Sequence, residues 1–117
     1  EKAVNRYVRA RDHAKGCVSC DLPPTWGGQW HASHFRSVGA ASSIRFHLWN
    51  IHKSCSACNN HKSGNVVEYR ISLVKRIGLD KVEWLEGPHE PKRYTIEDVK
   101  ALKAQFRAEL RAMQADN

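Results

Sequence analysis

The stretch that decides the fold runs from residue 17 to residue 62 and contains two cysteine pairs, Cys17-Val-Ser-Cys20 and Cys55-Ser-Ala-Cys58. These pairs hold all 4 cysteines of the 117-residue chain. A C-x-x-C turn, or knuckle, can direct two thiolates at one metal ion, and two knuckles complete the tetrahedral set of ligands that zinc prefers. Four thiolates leave no open position on the ion. We therefore predict a structural zinc site.

Two disulfides in a secreted domain are the alternative use of these cysteines. The sequence has no basic segment followed by an apolar run of the kind that directs secretion. It also has no run of about 18 apolar residues that could span a bilayer. Paired knuckles beside histidines are typical of metal sites in a reducing compartment. We expect a cytoplasmic protein without a membrane span, and, since the chain starts at Glu1, a fragment of a longer one.

Positive charge is concentrated in the part of the chain that carries the cysteines. The net charge is +7; residues 1–79 hold 12 Lys and Arg against 4 Asp and Glu, whereas residues 80–117 hold 7 against 8. From Cys17 to Lys62 the only acidic side chain is Asp21. Such a segment attracts polyanions, of which nucleic acid is the most common. A cationic surface that serves only solubility is the alternative.

The 34 residues between the knuckles, 21–54, are too many for a simple zinc ribbon, so we expect an inserted element there. Residues 29–37 carry aromatic side chains that suit a strand, and residues 44–49 alternate apolar with polar side chains. We predict that these two segments pair as a β-hairpin between the knuckles.

Helices are predicted on both sides of the knuckle region. Apolar residues spaced by three and four predict a helix over residues 1–14 and a core helix over 66–77, which Gly78 ends. The core face of the second helix is broad, and its members include Val66, Val67 and Ile71.

Two shorter patterns predict helices in the C-terminal third. Asp80 is expected to cap a helix over residues 81–86, and Thr95 with Asp98 forms a capping box for a helix that reaches about residue 114. The predicted class is α+β, with a small ββα-metal core at about residues 15–79 and a helical extension at about 80–117. We expect residues 1–117 to form one domain.

Histidine and asparagine residues lie between the two knuckles and directly after the second one. A histidine on the first strand, opposite the start of the following helix, can take a proton from water while a nearby cation stabilises the charge on a phosphate. The relevant segments are Trp30-His-Ala-Ser-His34-Phe-Arg-Ser, Asn50-Ile-His-Lys and Cys58-Asn-Asn-His-Lys-Ser-Gly-Asn. An isolated histidine is more often structural, but this combination favours a catalytic one.

This combination resembles the HNH/His-Me finger (ββα-metal) nucleases, particularly the zinc-containing members. More closely, it resembles the NinG (Rap) recombination endonucleases of lambdoid phages, over most of residues 17–115. The resemblance implies a DNA endonuclease that hydrolyses phosphodiesters in branched DNA, such as Holliday junctions and D-loops, during phage recombination. It also implies action in the bacterial host cytoplasm.

The resemblance implies roles for three residues. His34 is expected to be the general base and to lie at the catalytic divalent ion, Mg²⁺ or Mn²⁺. Asn50 is expected to orient His34 or hold the active loop, and Asn59 to bind the catalytic ion. Ser33 occupies the position at which HNH enzymes usually carry an acidic metal ligand.

Other residues are weaker candidates. His31 or His61 can replace the missing acidic ligand, and His52 is a further site candidate that can equally pack beside the knuckle. Phosphate contacts would supply affinity for DNA without reading its sequence. The predicted DNA-binding residues are Arg36, Arg45, Lys53, Lys62 and Arg70.

Two alternative functions are also consistent with the sequence. One is a non-catalytic zinc-ribbon module that binds DNA, and metal-dependent plasmid nicking separates it from a nuclease. The other is an HNH nuclease of the restriction or homing type, and comparison of a four-way junction with a linear duplex separates that one. The sequence fixes no oligomeric state, and a homodimer is among the assemblies that it allows.

Overall fold

A computed structural model describes residues 2–61 and 65–115, without the side chain of His61. The chain forms a mixed α/β structure with a two-stranded sheet. Its strands and helices are, in chain order, α1 (Lys2–Arg11), β1 (Trp30–His34), β2 (Ile51–Cys55), α2 (Ser56–His61), α3 (Val66–Ile77), α4 (Leu79–Glu86) and α5 (Ile96–Ala115). Within the described ranges, no helix is long and apolar enough to cross a membrane.

The sheet lies between α1 and α2. Strands β1 and β2 are antiparallel, with Ser33 opposite His52 and His34 opposite Ile51. Ala32 and Ile51 pack against Val4 and Val8 of α1. The side chains of a strand alternate between its faces, so Ser33 points away from α1, towards α2. The order β1, β2, α2 brings the second knuckle to the start of a helix.

The predicted strand over residues 44–49 is wrong. That segment begins in one short 3₁₀ helix, Ser42–Ile44, and ends in another, Leu48–Asn50, and the second strand is β2. The alternation of apolar and polar residues in this segment does not indicate a strand, because its apolar side chains pack into two different clusters. Ile44 packs with Phe35 and Tyr69, whereas Phe46 and Leu48 pack towards α1. All five residues of β2 are buried, so this strand shows no polar alternation in the sequence.

The predicted N-terminal helix is confirmed but shorter than residues 1–14, ending at Arg11. The core helix over 66–77 and its stop at Gly78 are confirmed as α3, and Gly78 has φ 97°, which favours glycine. The following helix starts directly at Leu79, with Gly78 as its N-cap. The prediction of Asp80 as the cap is therefore wrong, because Asp80 lies inside the first turn.

The core face predicted for α3 is too broad. Tyr69 and Leu73 are fully buried, but Val67 is 72% exposed and Ile71 50% exposed. The reason is that α3 packs mainly through one side, against α4 and residues such as Phe35, so its other apolar side chains meet solvent.

The capping box at the start of α5 is confirmed. The backbone N–H of Thr95 donates to the Asp98 carboxylate, and the N–H of Asp98 donates to the Thr95 hydroxyl, each at 3.0 Å. The helix continues to Ala115, close to the predicted end. Phe106 of α5 is buried against α1, and Leu85 of α4 lies in the main core cluster. Both helices therefore pack onto the knuckle-bearing part of the chain.

Candidate metal centre and active site

The four cysteines come together in one cluster. The Sγ atoms of Cys17, Cys20, Cys55 and Cys58 all lie within 4.8 Å of one another. The sulfurs of Cys20 and Cys55 are 3.8 Å apart. A zinc ion with four sulfurs at about 2.3 Å places neighbouring sulfurs about 3.8 Å from each other. All four cysteines are free thiols rather than disulfides. The cluster thus has the donors and the spacing to hold a metal such as zinc.

Backbone N–H groups support this cluster. The N–H groups of Ser19 and Cys55 point to Cys17 Sγ at 3.4 and 3.2 Å, and the N–H of Cys58 points to Cys55 Sγ at 3.5 Å. Burial and the neighbouring Cys55 thiol raise the pKa of Cys58 far above its usual value. A cation in the cluster reverses this preference, because it favours the thiolate form.

His34 lies at the end of β1 with a defined hydrogen bond. Its Nε2 is 2.8 Å from the carbonyl oxygen of Arg45. A carbonyl only accepts, so Nε2 carries the hydrogen, and the neutral ring has its lone pair on Nδ1. The ring is half-buried and held in orientation by this bond. Nδ1 can therefore accept a proton or bind a cation.

Asn50 is fully buried and holds the turn that follows His34. Its Oδ1 accepts from the backbone N–H of Arg36 at 2.8 Å, and its Nδ2 donates to the carbonyl of the same residue at 3.0 Å. The backbone carbonyl of Asn50 also accepts from the N–H of Phe35 at 2.8 Å. Among the described residues Asn50 makes no hydrogen bond with His34, and it instead fixes the backbone of the two residues that follow His34.

Ser33 and Asn59 meet on the other face of β1. The Ser33 hydroxyl donates to Asn59 Oδ1 at 3.0 Å, which joins the strand to α2. His31 shares this face with Ser33, and its Nε2 is buried without a hydrogen-bond partner in the described part of the chain. Two neutral oxygens and one unsatisfied ring nitrogen thus lie on this face, whereas His34, which is predicted at the same catalytic ion, lies on the opposite face because side chains alternate along β1.

His52 belongs to a buried polar network rather than to an open site. It is 3% exposed, its Nε2 donates to the Trp49 carbonyl at 2.9 Å, and its Nδ1 accepts from Arg11 at 3.2 Å. Burial, followed by the charge of Arg11, lowers the pKa of His52 from 6.5 to about 4. The ring is therefore neutral at pH 7. Asp12, also fully buried, accepts two bonds from Arg11 and one from the N–H of Lys53.

We expect His52 to make the fold sensitive to mild acid. The unfolded chain binds a proton at His52 below about pH 6.5 and the folded chain only below about 4, so stability falls as the pH drops through this window. The loss is about 3 kcal/mol, or roughly 10 °C in Tm. His52→Gln cannot titrate and should show a flatter Tm profile between these pH values, whereas His13→Gln, at an exposed site, should keep the wild-type slope. Equal slopes for all three proteins would contradict this role of His52.

Comparison with known proteins identifies the family. The profile described as Bacteriophage Lambda NinG protein matches residues 1–116. The chain belongs to the NinG family. Protein ninG of Escherichia phage lambda is 43% identical over 114 residues, which cover 97% of this chain and 55% of the relative. Protein ninG of Enterobacteria phage H19B is 45% identical over 104 residues, with coverage of 89% and 51%. No solved structure matches the chain.

The NinG resemblance predicted from the sequence is confirmed, and these relatives are phage proteins. The chain spans about half the length of the curated relatives it matches. Their names state no activity.

The cations predicted to contact DNA in this NinG-family chain have partners within the fold. Arg36 donates to the carbonyl of Leu85 at 2.9 Å. Lys53 is 3% exposed, with its ammonium 4.2 Å from the centre of the Trp30 ring.

The other predicted cations lie nearer the surface or among the residues that the structure does not describe. Arg70 forms a two-bond ion pair with Glu86, and the Arg45 guanidinium lies 5.0 Å from the Phe46 ring centre. Lys62 and the side chain of His61 fall outside the described residues. Lys53 is thus placed where it supports the fold, and Arg45 contacts His34 through its backbone carbonyl.

Sequence reasoning missed the network around Asp12. Arg11 donates to the carbonyls of Leu48 and Ile51 as well as to Asp12, and so joins α1 to β2. The only signal in the sequence was an acidic residue at the end of an otherwise basic helix. The partners of this network outside α1, namely Leu48, Ile51 and Lys53, lie about 40 residues away in the sequence, which no local pattern reveals.

Proposed function

We propose that this NinG-family chain is a metal-dependent DNA endonuclease that hydrolyses phosphodiesters in branched DNA. The observation that carries the proposal is the hydrogen bond from His34 Nε2 to the Arg45 carbonyl, 2.8 Å long. It fixes the tautomer that a general base needs, with Nδ1 free of hydrogen. His52 makes the same kind of bond, to the Trp49 carbonyl, but its Nδ1 accepts from Arg11.

The surroundings of His34 suit a base that acts on water. Asn50 holds the backbone at residue 36 through two hydrogen bonds, so the turn after His34 is rigid. The cysteine cluster ties the loop before β1 to the end of β2. The order β1, β2, α2 supports a ββα-metal core of the HNH type. Rigid positioning of a proton acceptor beside a substrate phosphate is what phosphodiester hydrolysis requires.

We place a catalytic divalent ion at the Ser33 and Asn59 oxygens, which lie on the face of β1 opposite the one that carries His34. Oxygen donors are those that Mg²⁺ and Mn²⁺ prefer, and Mg²⁺ usually keeps several waters and shares substrate phosphates. When bound, the ion would stabilise negative charge on the phosphate and on the leaving oxygen. Both protein donors are neutral, so we expect weak binding of the free ion. His31 Nε2 is a further donor on the same face.

The proposal that the substrate is branched rests on the family resemblance. The proposal that it is DNA rests on the family resemblance and also on the charge distribution. Residues 1–79 have an excess of basic over acidic side chains, 12 against 4. Exposed cations on the outer side of α1, such as Arg6 and Arg9, can contact phosphates without selecting a sequence.

We expect the zinc-loaded chain to cut a four-way junction in Mg²⁺ or Mn²⁺ and to cut a linear duplex of the same sequence far more slowly. The measurement is single-turnover cleavage of both labelled substrates, with EDTA-treated reactions as the control. Equal rates on the two substrates would favour an HNH nuclease of the restriction or homing type. Binding without any metal-dependent cleavage would favour a non-catalytic zinc-ribbon module and contradict the proposal.

A further inference from the structure

A groove runs along α5 on the side that faces α1 and the 3₁₀ segment near Phe46. It consists of three adjoining cavities of about 100, 260 and 390 Å³. Lys2, Ala3 and Lys103 line both the first and the second cavity. Phe46 and Val99 line both the second and the third. The cavities therefore form one continuous depression rather than separate pits.

The floor of this groove is apolar. Val4 and Phe106 form its buried base, and Phe46 and Leu102 are half-buried beside them. Val99 remains 39% exposed although it belongs to the apolar face of α5. Apolar side chains left open in a depression are typical of surfaces that receive apolar side chains from another molecule.

The rim of the groove is basic. The described residues that line these three cavities include no acidic side chain, although a further cavity that shares Phe46 and Leu102 with the second one is lined by Asp98. The exposed cations along it are Lys2, Arg6, Lys92, Arg93, Lys103 and Arg107. This concentration lies in the C-terminal third and at the start of α1, although residues 80–117 carry more acidic than basic side chains in total.

We propose that this groove binds an acidic segment of a partner protein, with apolar side chains on one of its sides. The apolar side chains would fill the floor between Val4, Leu102 and Phe106, and the carboxylates would face the rim. Apolar anchors supply most of the affinity of such complexes, and complementary charges supply orientation and a fast encounter. A DNA backbone matches the rim, but the charged phosphate at each of its nucleotides does not suit an apolar floor.

The groove adjoins the His34 region. Arg45 lines the third cavity, and its carbonyl accepts the hydrogen bond from His34. A bound segment would therefore contact the loop that orients His34. Binding of an acidic segment in this groove does not depend on whether His34 is catalytic, because it requires only the apolar floor and the basic rim.

The experiment is fluorescence anisotropy of a short fluorescein-labelled peptide titrated with the zinc-loaded chain. The peptide has Leu or Phe at helical spacing i, i+3, i+4, i+7 and Glu at the other positions. A scrambled peptide of the same composition and a peptide with Gln in place of Glu are the controls. We expect saturable binding of the acidic amphipathic peptide and at least fivefold weaker binding of each control, since both apolar spacing and charge are required.

Variants of α5 locate the binding. Lys103→Glu changes a rim residue, whereas Lys100→Glu makes the same charge change on the same helix outside the groove. We expect Lys103→Glu to weaken peptide binding about fivefold and Val99→Glu about tenfold, with Lys100→Glu within about twofold of wild type. All three sites are exposed, so these variants are expected to fold.

Four outcomes would overturn the assignment. The first is the absence of saturable peptide binding, and the second is equal weakening of peptide binding by Lys100→Glu and Lys103→Glu. The third is binding of the scrambled peptide as tightly as the acidic amphipathic one. The fourth is binding of a duplex oligonucleotide by the wild type that Val99→Glu abolishes. The last would make DNA the occupant. Sedimentation that shows a dimer dispersed by Val99→Glu would instead assign the groove to a second copy of the chain.

Discussion

Replacing Cys55 with serine is expected to remove the bound zinc and most of the tertiary structure. The Cys55 sulfur is 3.8 Å from that of Cys20 and accepts the backbone N–H of Cys58 at 3.5 Å. Its loss therefore disturbs both knuckles. Structural zinc sites contribute about 10–16 kcal/mol to folding in small domains, which is comparable to the whole stability of a domain of this size.

The measurement combines zinc content per chain with thermal unfolding followed by circular dichroism. Ala57→Ser, an exposed position between Cys55 and Cys58, is the matched control because it adds a serine to the same knuckle without removing a ligand. We expect one zinc ion per chain and a cooperative transition in the wild type and the control. A wild type purified without zinc, or a Cys55→Ser chain that keeps its Tm, would be incompatible with a structural four-thiolate site.

Replacing His34 with alanine is expected to reduce cleavage of a four-way junction by a factor of about 10²–10⁴, the usual worth of a general base. Zinc content should not change, since His34 is outside the cysteine cluster. Loss of the bond to the Arg45 carbonyl should cost only about 1 kcal/mol of stability. Junction affinity should stay close to that of the wild type.

Single-turnover rates, zinc content and junction binding should be measured on the same preparations. His13→Ala is the control, because His13 is an exposed histidine at the end of α1 with no predicted role in the site. We expect this control to cut at the wild-type rate. If His34→Ala also loses zinc or unfolds, its low activity says nothing about proton transfer, and the bond to Arg45 would have a mainly structural role.

The sequence reveals those features whose causes are local. Four cysteines in two knuckles predict their cluster, Gly78 predicts the end of α3, and Thr95 with Asp98 predicts the start of α5. Each depends on residues within a few positions of one another, or on a chemistry with few alternatives. These predictions are confirmed by the structure.

Features that depend on distant partners could not be predicted. Strand β2 is buried on both faces, so its sequence Ile51-His-Lys-Ser-Cys55 shows no polar side to mark it as a strand. Lys53 resembles a surface cation in the sequence, but its N–H bonds to Asp12 and its ammonium lies over Trp30. The pairing of Ser33 with Asn59, 26 residues apart, follows from the packing of α2 on the sheet.

The most direct test of the proposed nuclease site is cleavage of one four-way junction by the wild type, His34→Ala and Asn59→Ala across a Mn²⁺ titration. Asn59→Ala removes an oxygen that is proposed to bind the catalytic ion, so excess Mn²⁺ should restore part of its cleavage. His34→Ala removes the proton acceptor, which added metal does not supply, so its rate should stay low at every concentration. Near-wild-type cleavage by His34→Ala at any Mn²⁺ concentration would contradict the assignment of His34 as the general base.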